Sequence, residues 1–394
     1  MTTVEQTRSR IKSLIPHPLE TENIPLDRAL HRVLRESIRA TEDQPPFHRS
    51  SIDGYLTHPD QSQGKVTLLS PPLSAESLPP IPSPGTALRI LTGSSLPSGG
   101  ALVMQEDTRI LSKHEVELLK RPSSSLIRPR ASHARKGDIL LPSPCRLEPG
   151  SLALLAALGI SQPKVSRLPK VAHLVTGAEL TDPCDPPQPG KIRDSNSTMI
   201  RSLLLSYPTD PVWHGRVGDD YKRLMDSLSE ALSHHPNLIL LSGGSSAGDQ
   251  DHTGRALEKS GFRILVQQVA MRPGKPLILA QKGDTLAFGL PGNPLSHFVC
   301  FHLFVRCALD CWVHQPERTL LQAERVAGAE LRPDPRETWW PCRLDTRHST
   351  LTATPLAWRD SSDLSCLPQT HALMRIPAGQ EAGSPIEILP TMSW

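Results

Sequence analysis

The sequence has few aromatic residues, little net charge and no long uninterrupted apolar run. Aromatic residues make up 4% and hydrophobic residues 37% of the 394 residues, and the formal net charge is only +3. Such a balanced charge argues against a nucleic acid as the main partner. The most apolar stretch, residues 297–313, is interrupted by Arg306 and Asp310, so we expect no membrane-spanning helix.

Cysteine is scarce, and its spacing excludes two common uses of this residue. The seven cysteines include no Cys-x-x-Cys pair, so the pattern indicates neither a structural zinc site nor a disulfide framework. Cys307 and Cys311 have helical spacing in an apolar stretch, and we expect them to pack in the core. The N-terminal segment lacks the apolar region of a secretory signal, which predicts a cytoplasmic protein with reduced thiols.

Proline is abundant instead, with 40 residues, and together with the chain length it favours several domains rich in turns and short strands. Apolar periodicity predicts helices over residues 3–15, 26–40 and 150–160. Residues 45–130 combine Pro-Pro pairs with short apolar runs, a composition typical of a small β domain.

Strands and helices alternate from residue 170 to about 312, which predicts a mostly parallel sheet with helices on its faces. Loops follow successive strands there at residues 176–180 (TGAEL), 242–251 (SGGSSAGDQD), 271–276 (MRPGKP) and 289–294 (GLPGNP). Because ligands of open α/β sheets bind beyond the carboxyl ends of the strands, we expect these loops to surround one pocket. Short strands return over residues 320–394 and predict a terminal β domain.

The residue types in these loops suit an anionic ligand. Backbone N–H groups of the Gly-rich loop can approach an anion, and Ser242, Ser245 and Ser246 add hydroxyl donors, although a plain turn explains such a loop by itself. Arg272 and Lys275 flank a Pro-Gly turn, with solvated surface charge as the alternative for Arg272. Carboxylates that suit Mg²⁺, each with a helix cap or turn as its alternative role, are Glu179, Asp194, Asp219, Asp220, Asp249 and Asp251.

Taken in order, motifs along essentially the whole chain resemble the molybdopterin molybdenumtransferase family, the bacterial MoeA type that is also similar to the C-terminal half of gephyrin. The matching segments are PPFHRSSIDGY (45–55), TGSSLPSGGALVMQE (92–106), VTGAEL (175–180), DSNS (194–197), SGGSSAGDQD (242–251), RPGKP (272–276) and GLPGNPLS (289–296). Spacing alone leaves Asp53-Gly54 and Thr92-Gly93 open to a second interpretation as hairpin turns.

The resemblance implies a multidomain α/β plus β fold and a reaction. The implied domains are a helical/linker domain (1–44 and 131–168), a β domain (45–130), a MogA-like molybdopterin-binding α/β domain with a mostly parallel sheet (169–315) and a small C-terminal β-barrel domain (316–394). The implied reaction inserts molybdenum from molybdate into adenylylated molybdopterin, releases AMP and requires Mg²⁺. A homodimer with the cleft at its interface, a MogA-like adenylyltransferase and recipient molybdoenzymes are the implied partners.

Matched position by position, Asp53, Thr92, Glu179, Asp219 and Asp251 stand where the family has functional polar groups, and the resemblance implies that they are catalytic. Glu179 and Asp251 are expected to position Mg²⁺ or substrate, and Asp53 and Thr92 to act on molybdate. The residues expected to bind the nucleotide and form the anion-facing wall are Ser242, Gly243, Gly244, Ser245, Ser246, Gly248, Arg272, Lys275, Pro291 and Pro294.

The chain departs from the family pattern at several positions, which leaves two alternatives to a working transferase. The departures are His48-Arg49 for Asp-Asn, His133 for a carboxylate, Ala178 for the Asp of G-D-E-L, Gln268 for a lysine, Arg272 for the first Lys of K-P-G-K-P, and Pro341 for the second Arg of R-x-x-F-x-R. A carrier protein would bind molybdopterin or the finished cofactor with weakened or lost catalysis. A MogA-like adenylyltransferase would share the SGGSSAGDQD loop and consume ATP, but the β domains and the Asp53 and Thr92 segments argue against it.

Overall fold

The fold is that of a computed structural model, which describes residues 1–70, 78–218, 220–243, 252–347 and 349–392. These described residues form two compact units. The larger unit comprises residues 1–35, 144–152 and 161–394, and the smaller unit comprises residues 36–143 and 153–160. The finer division into four domains remains a prediction.

An α/β sheet forms the centre of the larger unit. Its strands, in spatial order, are Asp210–Val217, Lys170–Thr176, Leu238–Ser242, Thr285–Leu290, Ile278–Lys282 and Arg263–Val266. The first four strands and Arg263–Val266 run in the same direction, and Ile278–Lys282 is antiparallel to both of its neighbours, which confirms the predicted mostly parallel sheet. Because neighbouring side chains point to opposite faces, Leu240 and Leu241 lie in two different apolar clusters.

Helices cover both faces of this sheet. They are Val4–Leu14, Ser195–Leu205, Tyr221–Ser233, His252–Lys259, Pro294–Cys300 and Arg306–Val313, the last two joined by the π-helical turn Phe301–Val305. We call the continuous run from Pro294 to Val313 the core helix. It packs on one face with the first two helices, and the third and fourth helices pack on the other.

Short polar side chains determine where several of these helices begin. Thr3 and Gln6 form the capping box that precedes the first helix, with Gln6 N donating to Thr3 Oγ1 at 3.1 Å and Thr3 N donating to Gln6 Oε1 at 2.9 Å. Asp194 caps the second helix, since its Oδ1 accepts from Ser197 N at 2.9 Å. The cap interpretation of Asp194 is therefore confirmed.

One predicted helix is wrong. Residues 26–40 form a single 3₁₀ turn, Leu26–Arg28, followed by the short strands Val33–Leu34 and Ile38–Arg39. His31 has a φ of 64°, which a right-handed helix does not admit. Both strands pair antiparallel with segments distant in the sequence, and this tertiary pairing outweighs the local apolar periodicity.

The core helix is buried inside the fold. It has 20 residues, and the mean hydropathy of its most apolar window is 1.2. Among the described residues, this helix is long and apolar enough to cross a membrane. However, 83% of that window is buried within the protein. Phe301 and Phe304 are fully buried and belong to the largest apolar cluster, as is typical of a core helix in a globular fold.

A β-barrel closes the C-terminal region. Its described strands, in order around the barrel, are Glu337–Arg347, Thr350–Pro355, Leu321–Arg325, Ile386–Pro390 and Ala372–Ile376. The first strand also pairs with the last, which closes the five-stranded barrel. Met271–Arg272 adds to Glu337–Arg347 in parallel, so the segment that leads into the RPGKP motif is part of the barrel sheet.

The remaining strands are short. In the larger unit, Thr21–Asn23, Lys164–Ser166, Val33–Leu34 and Cys145–Arg146 form one sheet, and Leu180–Thr181 pairs with Ile192–Arg193. In the smaller unit, the strands are Thr108–Ile110, Glu115–Leu118, Gly64–Leu69, Thr86–Ile90, Gly54–Thr57 and Ala101–Met104 in one sheet, Ile127–Arg128, His48–Ser50 and Ser95–Leu96 in a second, and Ile139–Leu141 with Ile38–Arg39 in a third. The helix Pro149–Ala157 contributes residues to both units.

We expect Phe301→Ala to destabilise the protein by about 3–5 kcal/mol, because it removes a fully buried ring and leaves a cavity. Urea unfolding followed by circular dichroism measures this change in the free energy of unfolding. The matched control is Leu205→Ala on an exposed helix face, where the side chain is 81% exposed and the expected change is within about 0.5 kcal/mol. Equal effects of the two substitutions would contradict the assignment of the core helix.

Candidate active site

The loops that follow the parallel strands lie at one edge of the α/β sheet. The strand ends at Thr176, Ser242 and Leu290 are in register, since Ser242 pairs with both Val175 and Leu290. The MRPGKP segment also reaches this edge. It comes four residues after the strand Arg263–Val266, whose last residue pairs with Leu279. It precedes an antiparallel strand, whose first residue, Ile278, pairs with Gly289.

The backbones of two of these loops are in direct contact. Gly243 N donates to Leu290 O at 3.3 Å. Gly243 has a φ of +94°, and a Cβ at this position would lie 2.4 Å from Thr176 O, so glycine is required by both conformation and space. A Cβ on Gly292 would lie 3.8 Å from the Gly243 Cα. The strand ends therefore present closely packed backbone rather than side chains.

A buried polar network lies beneath these loops. Ser242 Oγ is within 2.7 Å of His173 Nε2 and 3.4 Å of His297 Nε2, and His297 Nδ1 is 3.1 Å from Pro291 O. All three side chains of the network are buried, with Ser242 and His297 at 0% exposure. Ser242 therefore supports the loop from below and does not present its hydroxyl to a ligand. Sequence reasoning missed both histidines, whose signal was a polar residue inside an otherwise apolar strand or helix.

One arrangement of protons satisfies the three hydrogen bonds of this network. A carbonyl only accepts, so His297 Nδ1 donates to Pro291 O, and its Nε2 is left to accept from the Ser242 hydroxyl. The Ser242 oxygen then accepts from His173 Nε2. Burial lowers the pKa of His297 to about 4 and holds the pKa of His173 well below its usual value. Both rings are thus neutral at physiological pH.

A pocket of about 590 Å³ opens beside the Pro291–Asn293 loop, between the RPGKP segment and a loop of the barrel. The cationic side chains that line it are Arg272, Lys275, Arg336 and Arg359. Asp360 and the ring of Trp358 complete its barrel side. The pocket therefore carries an excess of positive charge beside an aromatic surface, which suits an anionic ligand with a ring system.

Hydrogen bonds and one ion-pair cluster hold the pocket walls together. Asn293 Nδ2 donates to Ser361 Oγ at 2.7 Å, which links the α/β loop to the barrel loop. Asp334 accepts from Arg336 Nε at 2.9 Å and from Arg272 at 3.3 Å, and these arginines lower the pKa of Asp334, with Arg336 as the larger cause. Each guanidinium stays about one-third exposed, so it retains donors that face solvent.

The sequence predicted part of this pocket. Arg272, Lys275 and Pro291 line it, and Pro294 begins the core helix next to it. The barrel residues Arg336, Trp358 and Arg359 were missed. Trp358 and Arg359 lie outside every motif quoted above.

Glu179 is exposed in the turn that follows the strand Lys170–Thr176, where Gly177 leaves room for its carboxylate. A Cβ on Gly177 would lie 2.9 Å from Glu179 Oε2 and 3.0 Å from Oε1. The described residues contain no group of three histidine, cysteine or carboxylate side chains arranged to hold a metal. A single exposed carboxylate fits a Mg²⁺ site in which substrate phosphates and water supply most of the ligands.

In the smaller unit, Asp53 and Thr92 are in contact. Asp53 Oδ1 accepts from Thr92 N at 2.6 Å and from Thr92 Oγ1 at 2.8 Å. These hydrogen bonds lower the pKa of Asp53, so this exposed carboxylate is ionised at neutral pH. Arg49, one of the departures from the family pattern, donates from Nε to Gly93 O at 3.3 Å and so contacts the same loop. The structure therefore joins two motifs separated by about forty residues.

Several sequence-predicted residues lie outside the described part of the chain. These are Asp219, Gly244, Ser245, Ser246, Gly248 and Asp251. At three departure positions the described contacts involve the backbone, since His133 N donates to Gln44 O, Ala178 O accepts from Lys191 Nζ, and Gln268 O accepts from Thr2 N. A change of side chain at these three positions leaves those contacts available.

Comparisons with known proteins agree on one family. Residues 2–159 match the family model described as MoeA N-terminal region (domain I and II), and residues 172–310 match the probable molybdopterin binding domain. The chain is 32% identical over 390 residues to the molybdopterin molybdenumtransferase of Bacillus subtilis, covering 94% of this chain and 90% of that protein. It is 35% identical over 323 residues to the enzyme of the same name from a Nostoc species, covering 78% and 73%.

The fold comparison is consistent with these matches. The crystal structure of the molybdopterin biosynthesis MoeA protein from Pyrococcus horikoshii superposes with a TM-score of 0.78 and 24% sequence identity, covering 98% of this chain and 99% of that one. At this identity the likeness concerns the fold alone. It extends over nearly the whole length of both chains.

We expect the network histidines to make the protein less stable in acid. A histidine with a depressed native pKa is protonated first in the unfolded chain, so its stabilising contribution is lost as the pH falls below 6.5 toward 4. For His297 this loss is on the order of 2 kcal/mol at pH 5. His297→Asn retains a donor for Pro291 O but does not titrate, so its unfolding free energy should fall less steeply between pH 7 and 5.

Urea unfolding at a series of pH values measures this difference. His235→Asn, at an exposed position outside the network, is the matched control for the loss of a histidine. An identical pH dependence in the parent and in His297→Asn would contradict the assigned burial of this ring.

Proposed function

The chain belongs to the molybdopterin molybdenumtransferase family, and from this we propose how its own residues serve the insertion of molybdenum into molybdopterin. We propose that the substrate is adenylylated molybdopterin, that molybdate supplies the metal, and that AMP leaves. The protein acts in this proposal as a homodimer in the cytoplasm.

The cationic pocket carries this proposal. A pyrophosphate-linked substrate has several negative charges, and the pocket offers four cations with one lining carboxylate, Asp360. Asp360 is already engaged, since its Oδ1 accepts from Ser362 N at 2.8 Å. Arg272 and Arg336 are fixed by Asp334, whereas Lys275 and Arg359 make no ion pair with the described residues. These two side chains are therefore the most available to a phosphate oxygen.

Glu179 completes the phosphate side of the proposed site. Mg²⁺, when bound, neutralises phosphate charge and stabilises the negative charge that develops on a leaving phosphate. Glu179 would hold it with one carboxylate, and Asp251 is the proposed second ligand. The exposure of Glu179 supports this role, because Mg²⁺ that keeps several water ligands needs an accessible carboxylate.

Asp53 and Thr92 are proposed to act on molybdate. Asp53 Oδ1 accepts both hydrogen bonds from Thr92, so the Thr92 hydroxyl is oriented and its oxygen lone pairs face away from the carboxylate. The ionised Asp53 can accept a proton or hydrogen bond from a protonated oxygen of the oxyanion. Asp219 is the remaining proposed catalytic residue, and Gly243 to Ser246 with Gly248 are the proposed nucleotide loop.

An activity assay tests the proposed function. Purified protein with adenylylated molybdopterin, molybdate and Mg²⁺ should release AMP in a molybdate-dependent manner and reconstitute an apo-molybdoenzyme. Asp53→Asn should reduce AMP release at least tenfold and leave substrate affinity within about twofold, because it removes the charge from a side chain outside the phosphate pocket. Substrate binding without any AMP release by the parent would indicate the carrier alternative and contradict the proposal.

Lys275→Gln tests the phosphate pocket separately. We expect it to weaken binding of the adenylylated substrate about tenfold, since one charge-assisted hydrogen bond is worth roughly 1.5–3 kcal/mol. Isothermal titration calorimetry measures the affinity, and its salt dependence should also decrease. The matched control is Lys282→Gln, at an exposed position at the far end of the strand that begins after the RPGKP segment. Equal affinities for the two variants would exclude Lys275 from the site.

A further inference from the structure

A second pocket, of about 410 Å³, lies in the larger unit at the opposite end of the core helix from Pro294. The N-terminal helix, the last two turns of the core helix and residues 314–318 form its walls. Its surface is mostly apolar, with Ile15, Pro16 and Leu389 among the lining residues. The charged residues of its wall are Arg8, Lys12, Arg306, Asp310, Glu317 and Arg318.

The acidic groups of this pocket do not balance its cations. Glu317 is held by two of them, since its Oε1 accepts from Arg8 at 2.7 Å and its Oε2 accepts from Lys12 at 2.6 Å. Burial raises the pKa of Asp310 to about 7, so near neutral pH this carboxyl carries only part of a negative charge. One fully ionised carboxylate therefore faces four cations.

Arg306 lacks acceptors for part of its guanidinium. The residue is 2% exposed, and its NH1 donates to Pro390 O at 3.3 Å. Its Nε is 3.9 Å from Asp310 Oδ2, beyond hydrogen-bond distance, and its Nε and NH2 find no hydrogen-bond partner among the described residues. Stacking over the Tyr207 ring, at 4.9 Å, offsets only part of the cost of burying this charge.

Arg318 is the second cation without a matched acid. It is half-buried at the pocket wall, where burial lowers its pKa, and it forms no ion pair with a described carboxylate. Two arginines thus bring positive charge to a cavity with apolar walls. In such surroundings a buried charge is costly unless an opposite charge approaches it.

We propose that this pocket binds a small organic monocarboxylate, with its carboxylate at Arg318 and its apolar body against the proline- and isoleucine-lined wall. A carboxylate matches the planar donors of a guanidinium. A single negative charge is favoured over a phosphate dianion because Glu317 already neutralises part of the pocket and the remaining wall is apolar. This site is distinct in its residues from the cationic pocket of Lys275 and does not rest on the function proposed for that pocket.

Fluorine NMR of 4-fluorobenzoate with the full-length protein tests the proposal. We expect saturable binding of 4-fluorobenzoate, no saturable binding of the neutral 4-fluorobenzyl alcohol, and at least fivefold weaker benzoate binding by Arg318→Gln. Two variants should keep the parent affinity: Lys275→Gln, which reports on the cationic pocket, and Arg109→Gln, an exposed arginine of the smaller unit paired with Glu117 at 3.3 Å.

Several results would overturn the proposal. The first is unchanged benzoate affinity in Arg318→Gln, and the second is binding of the alcohol as tight as that of benzoate. The third is loss of benzoate binding in Lys275→Gln. The fourth is displacement of benzoate by inorganic phosphate at a concentration below that at which benzoate itself half-saturates the protein. If Arg318→Gln has a lowered melting temperature, Arg8→Gln provides the second variant, and it should also weaken benzoate binding. Unchanged binding there would equally exclude the pocket.

Discussion

The Ser242 hydroxyl, held between two buried imidazoles, connects the loops on which the candidate site depends. His173 lies on one strand, Ser242 ends the neighbouring strand, and His297 lies in the first turn of the core helix and bonds to Pro291 O in the loop before it. The start of the Gly-rich loop and the GLPGNP loop are therefore joined below the surface. Neutral rings suit this role, because a buried imidazolium would leave the network with one donor too many.

The same loops also link the sheet to the barrel. Asn293 donates a hydrogen bond to Ser361, and Met271–Arg272 adds a strand to the barrel sheet. The walls of the cationic pocket therefore come from both the α/β part and the barrel. Asp334 fixes two arginines of that pocket and leaves Lys275 outside the ion-pair cluster. Part of the positive charge in the pocket is thus held in ion pairs with Asp334, and the rest is available to a ligand.

Much of the larger architecture could be predicted from the sequence, because periodic apolar segments over residues 170–312 report directly on strands and helices. The edge strand Asp210–Val217, the strand Ile278–Lys282 and the helix His252–Lys259 were not predicted. The helix over residues 26–40 was predicted wrongly, since long-range strand pairing and the left-handed His31 outweigh its periodicity. Local pattern cannot reveal partners that are distant in the chain.

The residues of the candidate site also fall into those that the sequence predicted and those that it did not. Motif residues such as Asp53, Thr92, Arg272 and Lys275 were accessible from the family resemblance. The histidine network and the barrel arginines were not, because their roles arise only when separate elements pack together. The sequence also suggested a ligand-binding hydroxyl at Ser242, whereas the structure shows that hydroxyl buried and used to position the loop.

A crystal structure of the protein with adenylylated molybdopterin bound is the most direct test of the central claim, that the cationic pocket beside the GLPGNP loop holds the substrate. The account predicts phosphate oxygens within hydrogen-bond distance of Lys275 and of Arg272 or Arg336. Density for the phosphates away from these three side chains would contradict it.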